Sequence, residues 1–500
     1  MERTTAVKNG VTRLEGVLDS TAADDSQMAD DFQIGNIMPA SGERVRVRVE
    51  GFTHAGEGVA RRGGLAVFVG GALPGETVEA EITEVRRRFA RARLLVVHDR
   101  APGRIDSACP SRLGCGGCTL QHVDYQTQLD LKTTLVRDSL ARIGRFTEPP
   151  VRQTLGMEDP RHYRNKVHFQ VARVEGRVVL GFFEEGSHSL ASVHRIAPGV
   201  EGCLLLDKRL SRVASVVERL LNEYRVPVYD WDREMGYLRH VMLRLAAATG
   251  EVMVILVAGS GDWSGRDAFA TSLRQEAPEV VSVIQNRNRG RGRDVLGREN
   301  EILAGASVIT DRLGQLLLRI SPTSFYQVNP AQTLVLYEQV LAYTALTGRE
   351  TVVDVFSGIG TIALFLARAA RKVYGLEIVP EAVTDAKGNA SLNGIRNVDF
   401  RQGRAEEWLP ALARQGLKPD VIILDPPRRG CAESVLEAAT EMKPACVVYV
   451  SCDPGTLARD LRLLAGAGYD LDEVQPVDMF PYTSHVECVV SIKRKHSIKP

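Results

Sequence analysis

Between residues 351 and 451 short runs of almost uninterrupted Val, Ile and Leu alternate with helical stretches, without an internal repeat of sequence. Strands are expected at Thr351–Phe356, Val373–Glu377, Val421–Asp425 and Val447–Ser451, with helices such as Thr361–Ala370 and Thr456–Ala465 between them. Strands that are apolar on both sides must be covered on both faces, so this alternation predicts a doubly wound parallel sheet. Such a sheet takes its ligands at the carboxyl ends of its strands. In VVDVFSGIGTIAL, Asp354 ends one strand, and Gly358 and Gly360 form the turn into a helix. Glu377 ends the next strand 23 residues later, in VYGLEI. An acid there can bind both hydroxyls of an adenosine ribose, which suits NAD and S-adenosylmethionine equally. The turn lacks the third glycine that a pyrophosphate site needs, and S-adenosylmethionine is favoured.

Downstream, ILDPPRRG places Asp425 before two prolines, VYVSCDPGTLARDL places Cys452 between a strand and a helix, and FPYTSHVECVVSI places Glu487 in an apolar run. A cysteine at a helix N-terminus is expected to have its thiolate stabilised. The alternative, an inert buried thiol, sits poorly at a strand end beside Asp-Pro-Gly. Glu487, between Val486 and Cys488, is either an outward-facing residue or an acid desolvated for proton transfer.

The earlier part of the chain is built differently. Residues 1–37 are acidic and polar without apolar periodicity, and read as a mobile tail. From Glu43 on, Val45, Val47 and Val49 alternate with charged residues, and four glycine-punctuated strands follow by Val97. Five short strands in so little chain suggest a small closed barrel of the kind that grips oligonucleotides. Cys109, Cys115 and Cys118 crowd into CPSRLGCGGCTLQH, three soft ligands for zinc or an iron–sulfur cluster. Eight cysteines in 500 residues are too few for a disulfide scaffold. No stretch approaches the roughly 20 apolar residues of a membrane helix, and Met1–Gly10 carries no apolar leader, so a cytoplasmic protein is expected. With 63 basic and 62 acidic residues, net charge says nothing about nucleic acid, but Arg86, Arg87, Arg88, Arg91, Arg93, Arg100 and Arg104 form one run and Arg287, Arg289, Arg291, Arg293 and Arg298 another.

In family order, the barrel, the cysteine cluster with Gln121 and His122 behind it, YRNK (Tyr163–Lys166), SFYQVN (Ser324–Asn329), DVFSGIG, LDPPR, SCDPGTLARD and HVE make the chain resemble the S-adenosylmethionine-dependent RNA uracil-5-methyltransferases, in particular the iron–sulfur subgroup acting on 23S ribosomal RNA. The resemblance runs from about residue 40 to 493. Two departures stand out: Asp453 where relatives often carry Asn, and Ser357 where they carry Cys. The implied fold is α/β: a Rossmann-like class I methyltransferase sheet (311–495), an N-terminal TRAM barrel resembling an OB-fold (38–99), and a mixed α/β central domain holding the cluster (100–310).

Uracil C5 is too weak a nucleophile to take a methyl group unaided, so a thiolate adding at C6 must activate the ring; Cys452 is the expected nucleophile. By the resemblance Glu487 removes the C5 proton, Phe325 stacks on the flipped-out base, and Gln327, Phe356, Glu377 and Asp425 serve the cofactor, with Asp425 open to a role on the target base. It also implies Cys203 as the fourth ligand, beside Cys109, Cys115 and Cys118, of a [4Fe–4S] cluster, and a monomer binding RNA. Transfer RNA is the alternative substrate. An RNA-binding metal protein with a decayed methyltransferase site, or an NAD-dependent oxidoreductase, would leave Cys452, Glu487 and the LDPPR segment idle.

Overall fold

The structure, a computed structural model, describes residues 38–109, 115–183, 190–191, 202–290 and 294–495. The expected tail, residues 110–114 of the cysteine segment, and Arg291 and Arg293 lie outside the described residues. Strands β1 (Arg44–Phe52), β2 (Glu57–Arg62), β3 (Leu65–Gly70), β4 (Thr77–Val85) and β5 (Phe89–Asp99) close into a barrel in the order β1-β2-β3-β5-β4. The alternation read in β1 decides its orientation: Val45, Val47 and Val49 fill the barrel while Arg44, Arg46 and Arg48 face solvent. Arg86–Arg88 form the exposed turn between β4 and β5.

Helix α1 (Tyr125–Arg142) follows, and then a seven-stranded sheet. It contains β6 (Lys166–Val174), β7 (Arg177–Phe183), β8 (Leu190–Ala191), β9 (Leu238–Leu245), β10 (Val252–Ala258), β11 (Val280–Arg287) and β12 (Glu299–Gly305), in the order β12-β11-β10-β9-β6-β7-β8. Helices α2 (Lys208–Glu223) and α3 (Arg266–Glu276) cover one face with Leu210, Val213, Val217 and Phe269. On the other face Met253, Ile255, Val257 and Ile284 pack into one core with the C-terminal sheet. Central and C-terminal regions therefore share apolar surface, and neither is a separate bead.

After the hairpin β13 (Ile309–Leu313) and β14 (Leu316–Ile320) and helix α4 (Pro330–Thr344) comes the second seven-stranded sheet. Its elements are β15 (Thr351–Val355), α5 (Thr361–Ala367), β16 (Lys372–Glu377), α6 (Pro380–Leu392), β17 (Val398–Gln402), α7 (Ala405–Arg414), β18 (Val421–Leu424), α8 (Glu433–Glu441), β19 (Cys446–Ser451), α9 (Pro454–Gly466), β20 (Tyr469–Val477) and β21 (Glu487–Arg494). The order is β17-β16-β15-β18-β19-β21-β20, so strand order reverses at β15, where such sheets open a crevice. The sheet is not wholly parallel: β21 runs antiparallel to both β19 and β20. Residues 478–486 supply no crossover helix, so the chain can only fold straight back.

Candidate active site

The carboxyl end of β15 leaves polar groups waiting. Asp354 is 0% exposed, and apart from the Ala363 amide, which opposes the rise of its carboxyl, neither carboxylate oxygen has a hydrogen-bond partner; the buried hydroxyl of Ser357 lacks one too. Burial first, then the charges of Asp425 and Glu377, push the Asp354 carboxyl well above its usual range. Phe356 turns the chain here with φ 69°, a left-handed conformation costing a bulky residue about 1–3 kcal/mol, of the kind that gathers at functional sites. Gly360 follows at φ 84°, and a Cβ there would lie 2.5 Å from the Phe400 ring, so glycine is required. Glu377, at the end of β16, accepts from the amides of Gly358 (2.9 Å) and Val379 (2.8 Å) and retains lone pairs for a ribose. Phe325, Gln327, Phe356 and Asp425 line one pocket with Asp354, Tyr337, Ser357 and Thr361.

Cys452, Glu487 and Asp425 meet at the neighbouring strand ends. Glu487 is 5% exposed, the desolvated alternative of the two read from sequence. Burial, reinforced by the charge of Asp425 and opposed by Arg428, pushes it up to about 8. Burial alone lifts Asp425 to about 7. Cys452 is half-buried, and burial together with Glu487 and Asp425 raises its thiol to about 11, with Arg428 pulling the other way. The expected stabilisation of the thiolate by the helix N-terminus is therefore corrected. Asp453 occupies the N-cap of α9, and its carboxylate takes the amides of Gly455 (2.9 Å) and Thr456 (2.9 Å). The favourable charge comes instead from Arg428, to which the sequence alone assigns no role. Its loop is tied to α9 by the Thr456 hydroxyl, which donates to the Arg428 carbonyl at 3.1 Å.

The central region holds the other side of the pocket. Buried Arg244 on β9 donates to the carbonyls of Ser321 (2.6 Å), Pro322 (3.0 Å) and Ser324 (2.6 Å), presenting Phe325 with 66% of its surface exposed. Asn165 donates through Nδ2 to the Gln327 carbonyl at 3.0 Å, and the Lys166 ammonium stands 5.5 Å from the Phe325 ring centre. These contacts give structural work to YRNK, whose residues carry no role in the sequence pattern. The 478–486 segment leading to Glu487 is gripped from every side. Tyr163 donates to Pro481 O, Asn329 to Met479 O, and Lys132 to Asp478 and Phe480 O.

The cysteine segment touches the same loop: Leu120 N donates to Tyr482 O (2.9 Å), Ser484 N to Thr119 Oγ1 (3.0 Å), and Ser484 Oγ to His54 O of the barrel (2.7 Å). Cys109, Cys115, Cys118 and Cys203 are half-buried. Burial raises Cys118 to about 12 and also raises Cys115, and the charges of Cys203 and other members of the set push the same way. Arg164 opposes them, and Gln121 Nε2 donates to Cys118 Sγ at 3.3 Å. The four thiols thus lie within electrostatic reach of one another, although among the described residues no three His, Cys, Asp or Glu side chains form a closed metal-holding group. Gln121 and Arg164 thus set a polar N–H and a positive charge near these thiols.

Among the described residues no helix is long and apolar enough to cross a membrane. Residues 267–495 match the family described as tRNA (Uracil-5-)-methyltransferase, and residues 40–95 match the TRAM domain. A Bacillus cereus protein described as an uncharacterized RNA methyltransferase is 43% identical over 452 residues, covering 90% of this chain and 97% of that protein. A Caldanaerobacter subterraneus counterpart, described in the same way, is 44% identical over 453 residues, with 91% and 98% covered. Among solved structures, the Pyrococcus abyssi tRNA (uracil-54, C5)-methyltransferase in complex with S-adenosyl-L-homocysteine superposes with a TM-score of 0.70 at 25% identity, covering 90% of this chain and all of that one.

Proposed function

Because the chain belongs to the RNA uracil-5-methyltransferase family, with its TRAM domain, and is an RNA methyltransferase, we propose that it methylates C5 of a uridine in 23S ribosomal RNA through covalent addition of Cys452 to C6. The observation that carries the reading is the meeting of a thiol and a buried carboxyl, Cys452 and Glu487, beside a pocket whose deepest acid, Asp354, has no side-chain partner. S-adenosylmethionine bound there supplies an electrophilic methyl group. Glu377 is suited to its ribose, Asp354 and Ser357 to its polar end, Phe356 and Gln327 to its flank, and Asp425 to the adenine edge or the target base. Phe325, exposed at the mouth, stacks on the flipped-out uracil.

In this cycle the Cys452 thiolate bonds to C6, and the electron pair pushed to C5 bonds to the methyl carbon as its bond to the sulfonium sulfur breaks, that electron pair staying on sulfur. Glu487 then takes the C5 proton, and the C6–S bond breaks to restore the ring and release the thiolate. A carboxyl raised to about 8 is a far stronger base than an ordinary glutamate, which suits it to a carbon-bound proton. Arg428 provides the positive charge that favours the thiolate.

Cys109, Cys115, Cys118 and Cys203 would hold a [4Fe–4S] cluster that orders the 115–120 segment against the loop before Glu487. The cluster consumes no electron in this chemistry. Anaerobically purified protein is expected to be brown with about four irons per chain, and Cys203→Ser to lose iron where Cys446→Ser does not. A colourless zinc protein would assign the thiols to a knuckle instead. The protein is proposed to act as a cytoplasmic monomer.

Transfer RNA is the second reading, favoured by the Pyrococcus abyssi neighbour, whose substrate is uracil 54 of tRNA. Incubation with labelled S-adenosylmethionine and undermodified ribosomal and transfer RNA, followed by mapping of the labelled base, decides between them. Label on neither RNA would overturn the proposed activity.

A further inference from the structure

A second aromatic surface lies outside the catalytic pocket, on the turn that leads into β9. An antiparallel bridge between Asp230 and Met235 closes this turn, a parallel bridge joins Val228 to Leu238, and Trp231 is left 49% exposed. The ring is nonetheless fixed. The Arg239 guanidinium lies 4.7 Å from the Trp231 ring centre and 4.9 Å from that of Tyr229, and the two rings meet edge-on at 5.1 Å. Arg239 is itself buried and donates through Nη1 to the carbonyls of Asn288 (2.7 Å) and Gly290 (2.9 Å), while its Nε has no partner. One cation thus joins the exposed tryptophan to the backbone of Asn288 and Gly290, just past Arg287, where the sequence begins an arginine run that the proposed chemistry leaves unused.

From Trp231 a row of side chains leads back to the pocket. The His240 ring is 5.6 Å from Trp231, and His168 is 4.7 Å from His240. Lys166 shares the face of β6 that carries His168, and its ammonium reaches Phe325 at the pocket mouth. His168 Nε2 and His240 Nδ1 are buried without a hydrogen-bond partner. Burial keeps both rings neutral, His168 near 4 with Lys166 adding to the effect, and His240 near 3 with His168 and Arg239 adding. These rings form an uncharged, largely buried floor between two exposed aromatic side chains, Phe325 and Trp231. Of the two acids flanking Trp231, Asp230 is engaged in its own turn, accepting from the amides of Asp232 and Arg233, each at 3.0 Å, and Asp232 is exposed.

We propose that the surface above this row, from Phe325 to Trp231, is a track for the single-stranded RNA flanking the target uridine, with one base beyond the immediate neighbours stacked on Trp231. The track rests on the reading of this chain as an RNA methyltransferase and adds a subsite to it. A lock that merely closes the turn would not need an indole face left half open.

The test uses the full chain, a single-stranded RNA extending several nucleotides to both sides of one uridine, and a trinucleotide centred on that uridine. Trp231→Ala is expected to weaken binding of the long RNA by between about five- and a hundredfold, the value of one base–aromatic stack, with Trp231→Phe retaining most of the affinity. The trinucleotide should bind parent and variant alike, and at saturating long RNA kcat should be unchanged while KM rises. A 2-aminopurine moved through the flanking positions should be quenched by the parent at one of them and not by Trp231→Ala. Equal affinities with no position-specific quenching would overturn the track. Failure of the parent to methylate any RNA while quenching persists would instead count against the methyltransferase reading and leave the stacking site standing.

Discussion

Asp478 and Asp354 are both 0% exposed, and the protein treats them in opposite ways. Asp478 accepts from the Lys132 ammonium and, at 2.9 Å, from the Tyr125 hydroxyl; its carbonyl accepts from Gln332 at 3.1 Å. Lys132 donates in addition to Phe480 O at 3.1 Å. Asp354 has no side-chain partner for either oxygen, and only the Ala363 amide approaches it. A buried charge matched on every side is scaffold, here fixing the loop that aims Glu487. A buried acid left unmatched destabilises the empty protein, and its retention makes sense where a ligand completes it. The difference separates residues that hold the site from residues that are the site.

If this division is right, pocket substitutions abolish chemistry without loosening the fold. Cys452→Ala should lower methylation by at least about three orders of magnitude with S-adenosylmethionine binding and the urea midpoint unchanged, because only the covalent step is removed. Glu487→Gln should accumulate a slow-migrating protein–RNA adduct on denaturing gels, since addition and methyl transfer proceed but elimination lacks its base. Turnover by Cys452→Ala would remove the nucleophile assignment. The scaffold side predicts the reverse pattern. Lys132→Met leaves Asp478 buried and uncompensated, and should cost about 3–5 kcal/mol of unfolding free energy. Asp354→Asn should leave stability equal or higher while S-adenosylmethionine affinity falls at least about tenfold, roughly 1.4 kcal/mol. Equal destabilisation by the two substitutions would erase the distinction.

Titration gives a smaller, independent test. Glu487 at about 8 and Asp425 at about 7 are raised above their unfolded values, so over this range the folded protein binds more protons than the unfolded chain. Their contribution is present below the unfolded carboxylate pKa, near 4, and is lost as pH rises through the folded values. Ligand-free protein should therefore be less stable at pH 8 than at pH 6 by about 3–4 kcal/mol, at about 1.4 kcal/mol per pH unit for each proton. The double variant Asp425→Asn, Glu487→Gln should flatten that slope in urea titrations. Over the same window kcat/KM should rise as Glu487 ionises, so activity and stability move in opposite directions.

What is legible in the sequence follows the same line. Strands β15, β16, β18 and β19 announce themselves because a strand buried on both faces must be apolar throughout, and the positions of Asp354, Glu377, Asp425 and Cys452 at their ends follow from those runs. The contacts that aim the site stay hidden because they join distant residues: Lys132 with Asp478, Arg244 with Ser324, Asn165 with Gln327. No periodicity records a partner far along the chain. The antiparallel return of β21 depends on what residues 478–486 do not form, and the expectation for Cys452 fails because the amides credited to it belong to Asp453. The sequence does carry the remedy, since Asp-Pro-Gly after a strand is an N-cap followed by proline at the first helical position.

The smallest expected effect concerns the barrel, which lies on neither side of the comparison. Its core is complete, and Arg86, Arg87 and Arg88 sit in an exposed turn where Arg86 pairs with Glu84 at 2.5 Å, a surface contact worth little for folding. If these arginines touch RNA, they neutralise phosphates, and the released counterions make binding salt-dependent with little sequence preference. Replacing all three with Ala should leave the urea midpoint and S-adenosylmethionine affinity unchanged and flatten the plot of log affinity against log salt by up to about two units, at roughly 0.7 for each single-strand phosphate left without its arginine. Titrations of one RNA at several salt concentrations measure this directly. A reduced slope would place the barrel with the residues that act rather than those that hold. An unchanged slope would make the turn ordinary solvated surface, and phosphate capture would then fall to the loop that begins at Arg287, beside the Arg239 clamp.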